Sequence, residues 1–60
     1  HARELEFWRA IGLVRLDRVD EAVVAFGHLA DAQPMYADLL ARVAKVDPIA
    51  ADLQNAWNHH

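Results

Sequence analysis

The sequence predicts an all-α protein: an antiparallel helical hairpin followed by two shorter helices, four helices in total. Twelve of the 60 residues are alanine, against two glycines and two prolines, and alanine is the best helix former. Apolar residues make up 55% of the chain and recur at spacings of three and four, the period of amphipathic helices. A chain this short buries only ~60% of its unfolded surface, so we expect residues 1–60 to form one small domain or a fragment of a longer chain.

The first helix is predicted from Ala2 to Leu16 and carries two apolar stripes. One stripe consists of Leu5, Trp8, Gly12 and Leu16, and the other of Phe7, Ile11 and Val14. Because a surface helix normally has a single stripe, we expect this helix to pack against two neighbours. Gly12 costs about 1 kcal/mol relative to alanine inside a helix. It therefore predicts either a closely approaching helix or a tolerated surface glycine.

The second helix is predicted from Asp20 to Ala30, ending around residues 31–33. Asp17 is expected to be its N-cap, with Asp20 in a capping-box-like spacing. The apolar face of this helix is formed by Ala22, Val23, Phe26, Leu29 and Ala30.

Two shorter helices are predicted over residues 34–46 and 48–57. Pro34 suits the first position of the third helix, and Asp47-Pro48 combines an N-cap with a first-position proline. The third helix is expected to face inward with Met35, Tyr36, Leu39, Leu40, Val43 and Val46. The fourth is expected to do so with Ile49, Leu53, Ala56 and Trp57. Trp8, Phe26 and Trp57 are all expected to be core residues.

Composition argues against several classes of function. The net charge is −3, and Lys45 with five dispersed arginines forms no basic stripe, which disfavours nucleic-acid binding. No apolar run approaches the ~20 residues of a membrane span, and we expect a cytoplasmic location. The chain contains no Ser, Thr or Cys, so Tyr36 is the only hydroxyl nucleophile. We expect no catalytic group, no cofactor and no metal.

The histidines do not change this expectation. His28 has Asp31 three residues on, but a metal site needs three or four ligands, so a partly exposed helix histidine is expected. The chain begins at His1 and not at Met, which suggests an excised, processed or partly observed piece of a longer chain. His59-His60 is expected to be a tag remnant or a frayed tail.

Several residues resemble a tetratricopeptide (TPR) repeat. Trp8 followed by Ile11-Gly12 is similar to the Trp and Leu-Gly that open the repeat. Residues 20–22 with Phe26 resemble its second helix, and Pro34 falls at its closing proline. The spacing from Gly12 to Ala22 is two residues short of the consensus. An ungapped alignment instead places Ala10 at the small-residue position and Asp17 where the turn glycine usually lies. The resemblance covers a degenerate TPR-like hairpin over residues 5–34.

The resemblance implies a binding surface on the first helix. In TPR-like folds the first helix of each hairpin lines the concave surface. In the ungapped alignment, this partner-binding surface comprises Glu4, Phe7, Ile11, Val14 and Arg15. The alternative is that this face packs on a neighbouring repeat or on the third helix.

The chain is also similar to the C-terminal helical region of an uncharacterised bacterial family whose main domain resembles N-terminal-nucleophile hydrolases. Residues 4–10, 18–22, Pro34 and 39–42 carry this likeness. It implies an accessory or oligomerisation segment of an enzyme whose catalytic domain lies outside this chain. The leading prediction is a non-catalytic helical module for protein–protein interaction or assembly, acting on a protein partner or by self-association as a homo-oligomer or as part of a larger chain. A helix-turn-helix DNA binder fits the short turn, but the acidic balance and the apolar second helix disfavour it.

Overall fold

The computed structural model describes residues 2–59, which form four helices and no strand. The helices are α1 (Ala2–Arg15), α2 (Val19–Ala32), α3 (Met35–Ala44) and α4 (Pro48–Asn58). This confirms the predicted all-α class and the number of helices. The predictions about His1 and His60 concern residues outside the described range.

The helices pack chiefly with their neighbours in sequence. α1 packs most extensively on α2, and α3 on α4, while α4 also contacts both α1 and α2. The extents of 23 × 21 × 21 Å are nearly equal, so the four helices enclose one core and do not extend in a line.

The core consists of aliphatic and aromatic side chains across the part of the chain whose burial is described. It contains no buried polar or charged side chain and consists of Phe7, Ala10, Ile11, Val14, Ala22, Val23, Phe26, Leu29, Ala30, Tyr36, Leu40, Ala50 and Leu53. Aromatic rings connect the helices through it. The ring centroid of Phe7 lies 6.3 Å from that of Phe26 and 5.9 Å from that of Tyr36. Phe26 in turn meets Trp57 edge-on at 5.1 Å, so each helix contributes at least one ring to a connected set.

Only one of the two apolar stripes on α1 is buried. Phe7, Ile11 and Val14 have 8% exposure or less, whereas Leu5, Trp8 and Leu16 are 72%, 49% and 69% exposed. The expectation that Trp8 is a core residue was therefore wrong, while Phe26 is buried as predicted and Trp57 is partly buried against the core. The other three helices cover the Phe7 stripe and leave the Trp8 stripe uncovered within this chain.

The predicted inward face of α2 is confirmed, because all five of its apolar residues are buried. The predicted N-cap is wrong, since α2 begins after Arg18 and receives no side-chain capping hydrogen bond. Asp17 instead adopts a left-handed backbone with φ of 62°. The amide of Asp17 donates to the carbonyl of Val14, and the amide of Arg18 donates to the carbonyl of Leu13. These bonds form a Schellman motif, in which the left-handed residue ends the preceding helix.

The end of α3 differs from the prediction, and the start of α4 agrees with it. α3 is shorter than the predicted 34–46 at both ends, and Pro34 is its N-cap and not its first residue. Met35 and Val46, expected inside, are 60% and 84% exposed. Met35 lies at the first position of the helix, and Val46 follows its end. The carboxylate Oδ1 of Asp47 accepts a hydrogen bond of 2.9 Å from the amide of Ile49. This confirms Asp47 as the N-cap of α4, with Pro48 at its first position.

Candidate functional site

The five residues predicted to bind a partner do not form a shared exposed surface. Phe7, Ile11 and Val14 are core side chains, while Glu4 and Arg15 are exposed. Three of the five side chains are therefore not accessible at the surface of the single chain. On this face Phe7 contacts Tyr36 of α3, while α2 and α4 make the larger contacts with α1.

The opposite side of α1 presents a continuous apolar strip, called here the outer face and formed by Leu5, Trp8, Gly12 and Leu16. The amide of Leu16 still bonds the carbonyl of Gly12 at 3.2 Å, so Leu16 keeps its helical position on this face. Apart from its two chain neighbours and the backbone of its own helix, a Cβ placed on Gly12 would meet no atom within 4 Å. Within this chain, the glycine therefore marks a shallow gap in the outer face and not the close helix approach that the sequence suggested.

Trp8 is held in place although half of it is exposed. Its ring meets the buried ring of Phe7 edge-on, with centroids 5.1 Å apart and an interplanar angle of 80°. Such edge-to-face contacts are favourable by ~0.5–1.5 kcal/mol. The indole is thus positioned before any partner arrives, which lowers the entropy lost when it docks.

Charged residues flank the outer face on both edges. At about 100° per residue, Glu4 and Arg15 fall on the same edge, eleven residues and roughly three turns apart. Arg9 lies on the other edge, close to the middle of the helix. All three side chains are exposed, so an apolar strip with a charged rim faces solvent along most of α1.

A groove of about 660 Å³ lies beside the outer face, between α1 and α2. Its lining residues are Glu6, Arg9, Leu13, Arg18, Asp20, Glu21, Val24, Ala25 and His28. Arg18 and Glu21 form an exposed ion pair at 3.3 Å within this set. This groove was not predicted from the sequence. The signal in the sequence was Val24, an apolar residue outside the predicted inward face of α2. Its side chain is 56% exposed in the structure.

The groove is lined by charged side chains of both signs, among them Arg9, Glu21 and Asp20. His28 is exposed as expected for a helix histidine. Within residues 2–59, no three His, Cys, Asp or Glu side chains are placed to share a metal ion. The ring Nδ1 of His59 lies 2.7 Å from the carbonyl oxygen of Asn55.

Comparison with protein-family models, curated proteins and solved structures gave no match to this chain. In the described range, none of the helices combines the length and apolar character needed to traverse a lipid bilayer. The function is accordingly inferred from the surface of the chain itself.

Proposed function

We propose that this chain is a non-catalytic helical module for protein–protein contact or assembly, and that it makes this contact through the outer face of α1. The observation that carries the proposal is the exposure of Leu5, Trp8 and Leu16 at 72%, 49% and 69% on one side of one helix. Single exposed apolar residues are common on proteins, but contiguous apolar patches mark sites of association.

A partner bound to the outer face would bury apolar surface that the core of the single chain leaves exposed to water. Removing apolar surface from water contributes roughly 25 cal/mol per Å², and the three side chains leave most of that contribution unused in the single chain. Tryptophan is also enriched among the residues that dominate binding energy at interfaces. Trp8 lies between Leu5 and Gly12 on the outer face, where a central anchor would be.

A degenerate TPR-like character of the α1–α2 region is part of this proposal. Two observations support the ungapped alignment. Asp17 has a φ of 62° at the position where the repeat usually has its turn glycine. Ala10 is 0% exposed at the small-residue position. The interaction surface proposed here is the outer face and not the buried side chains of Phe7, Ile11 and Val14.

The same exposed strip also fits the second prediction, an accessory or oligomerisation segment of a bacterial hydrolase-like enzyme. In that case the outer face would pack against a catalytic domain of the same parent chain or against another copy of that parent chain in an oligomer. The reading frame separates the two proposals, because an adjoining α/β region of ~200 residues, the length of one or two typical domains, would favour the enzyme segment. Helical repeats in its place would favour the general contact module.

Site-specific photo-crosslinking tests the proposed function. A photoreactive amino acid replaces Trp8 in one variant and Val46 in a matched control, since Val46 is apolar and 84% exposed but lies after α3. Both variants are irradiated in cells that produce the protein. We expect discrete protein adducts from position 8 and few from position 46. Equal crosslinking at both positions, or none at position 8, would contradict a binding role for the outer face.

A further inference from the structure

We infer that the outer face binds a second copy of this chain, with two α1 helices packed antiparallel about a two-fold axis at the level of Ala10. This inference rests on the proposed function, because it assigns an occupant to the same face. Homodimers with two-fold symmetry are the commonest soluble oligomers, and their interface must be complementary to itself. The outer face meets that requirement in spacing, in shape and in charge.

The spacing of the residues is self-complementary only in the antiparallel direction. A two-fold axis pairs positions that lie at equal distances on either side of it. Leu5 then meets Leu16 of the second copy, and Trp8 meets Gly12 of the second copy. Glu4 meets Arg15 of the second copy. The midpoint of each of these three pairs falls within one residue of Ala10, so one axis satisfies all of them.

The shapes at the centre also match. Trp8 is 49% exposed on the outer face, and no other helix and no side chain beyond the two chain neighbours lies within 4 Å of a Cβ position on Gly12. In the antiparallel pair, the indole of each copy covers the glycine of the other, and this happens twice. Parallel packing would instead place the two Trp8 rings at one level and the two Gly12 gaps at another. Small residues allow such close approach of helices, while a larger residue at the gap prevents it.

Charge complementarity selects the same direction. In an antiparallel helix pair, equal edges of the two helices face each other. The edge that carries Glu4 and Arg15 therefore meets its own copy in reverse, which brings each carboxylate to the level of a guanidinium. Exposed ion pairs of this kind contribute little to the affinity of a complex. They contribute more to the direction of pairing than to its strength.

Arg9 acts against the pair and limits its strength. It lies on the opposite edge near the level of the axis, so the Arg9 side chains of the two copies approach each other at the rim. The interface is also small, because each copy supplies one face of a single helix, and interfaces below ~1,200 Å² are typically weak. We expect a dissociation constant on the order of 10–100 µM, with Arg9→Gln lowering it a few-fold.

Two substitutions at Gly12 test the shape match, with sedimentation of the full chain measured from well below to well above the expected dissociation constant. Gly12→Ala adds a methyl group to a gap that can accept it, so we expect the dimer to be retained. Gly12→Leu fills the gap and should weaken the dimer by about tenfold or more, the range found for interface anchors. Because no neighbouring atom lies within 4 Å of a Cβ at this position, both variants should fold and melt at or above the temperature of the parent chain at high dilution.

Charge reversal tests the direction. Glu4→Arg or Arg15→Glu alone should weaken the dimer a few-fold, because each places like charges together twice. The double variant should recover the parent dissociation constant, since every pair is then restored with its signs exchanged. Val46→Glu serves as the control for added charge and should leave association unchanged.

A parent chain that stays monomeric at every concentration overturns this inference. A dimer that Gly12→Leu does not weaken overturns it as well, as does a double charge reversal that is weaker than both single variants. Face-specific crosslinking at position 8 in cells, together with a monomeric purified chain, would retain the proposed function and exclude the second copy as the occupant. A monomeric purified chain together with no face-specific crosslinking at position 8 would reject both the dimer and the proposed function of the outer face.

Discussion

The six-membered ring of Trp57 lies directly against Gly27. A Cβ added to this glycine would stand 3.2 Å from Cζ3 of Trp57 and 3.8 Å from Cη2. Gly27 lies in α2 and Trp57 in α4. Because Gly27 has no side chain, the indole of Trp57 packs closely on α2, where it also contacts Phe26. The close approach that the sequence led us to expect at Gly12 is found at Gly27.

This difference predicts that the same glycine-to-alanine substitution changes the stability of the chain differently at Gly12 and at Gly27. Gly12→Ala should raise the free energy of unfolding by roughly 0.5–1 kcal/mol, because alanine is the better helix former and the site is open. Gly27→Ala gains the same propensity but must displace the indole by a few tenths of an ångström. We expect it to be clearly less stable than Gly12→Ala. Thermal melts at high dilution measure both, and equal melting temperatures would contradict the packing of Trp57 on Gly27.

The neighbours Phe7 and Trp8 should respond very differently to truncation. Phe7 is fully buried, and Phe→Ala in a core costs about 3–5 kcal/mol. A domain of this size has only about 3–9 kcal/mol in total, so Phe7→Ala should lose most of its helical signal at room temperature. Trp8→Ala should cost about 1 kcal/mol through its edge contact with Phe7. Denaturant titration followed by circular dichroism checks the contrast, and similar losses would refute the assignment of the two stripes.

Replacing Asp17 by glycine should stabilise the chain. A left-handed backbone costs a residue with a Cβ roughly 1–2 kcal/mol, less for aspartate, and glycine avoids that cost. We expect Asp17→Gly to raise the free energy of unfolding by about 0.5–1 kcal/mol, and Asp17→Ala to lower it. If Asp17 were the N-cap of α2, both substitutions would be destabilising. The signs of the two shifts in melting temperature therefore decide between the two roles.

Asp47 is the side-chain cap that the sequence located correctly. Asp47→Ala removes the acceptor for the Ile49 amide and should cost about 1 kcal/mol. Asp47→Asn keeps a capping oxygen and is expected to stay within a few tenths of a kcal/mol of the parent chain. Urea titrations of the three proteins give the comparison. An asparagine variant as unstable as the alanine variant would show that the carboxylate charge matters more than the hydrogen bond.

Local chemistry explains what could be predicted from the sequence. The inward face of α2 and the Asp47 cap both depend on residues within a few positions of each other, and both are found as expected. The two stripes of α1 are equally apolar, so only the positions of the other helices decide that Phe7 is inside and Trp8 outside. The sequence alone could not make that choice.

The backbone conformation of Asp17 and the groove between α1 and α2 could not be predicted from the sequence either, because both depend on structure beyond the local residues. Aspartate favours both N-caps and left-handed positions, and the choice at Asp17 depends on where α1 ends. The groove between α1 and α2 arises because Leu13 and Val24 are brought to one side by the way the two helices pack. Its outline exists only once the tertiary structure has formed.

The connected set of aromatic rings has a consequence for how the protein unfolds. Tyr36, Phe7, Phe26 and Trp57 come from four different helices, and each touches at least one ring of another helix. Detaching any one helix therefore uncovers an aromatic surface on at least one other, and no pair of helices can loosen independently at low cost. Amide hydrogen exchange in the centres of all four helices should consequently occur through a single global opening, with no helix acting as a separate unfolding unit.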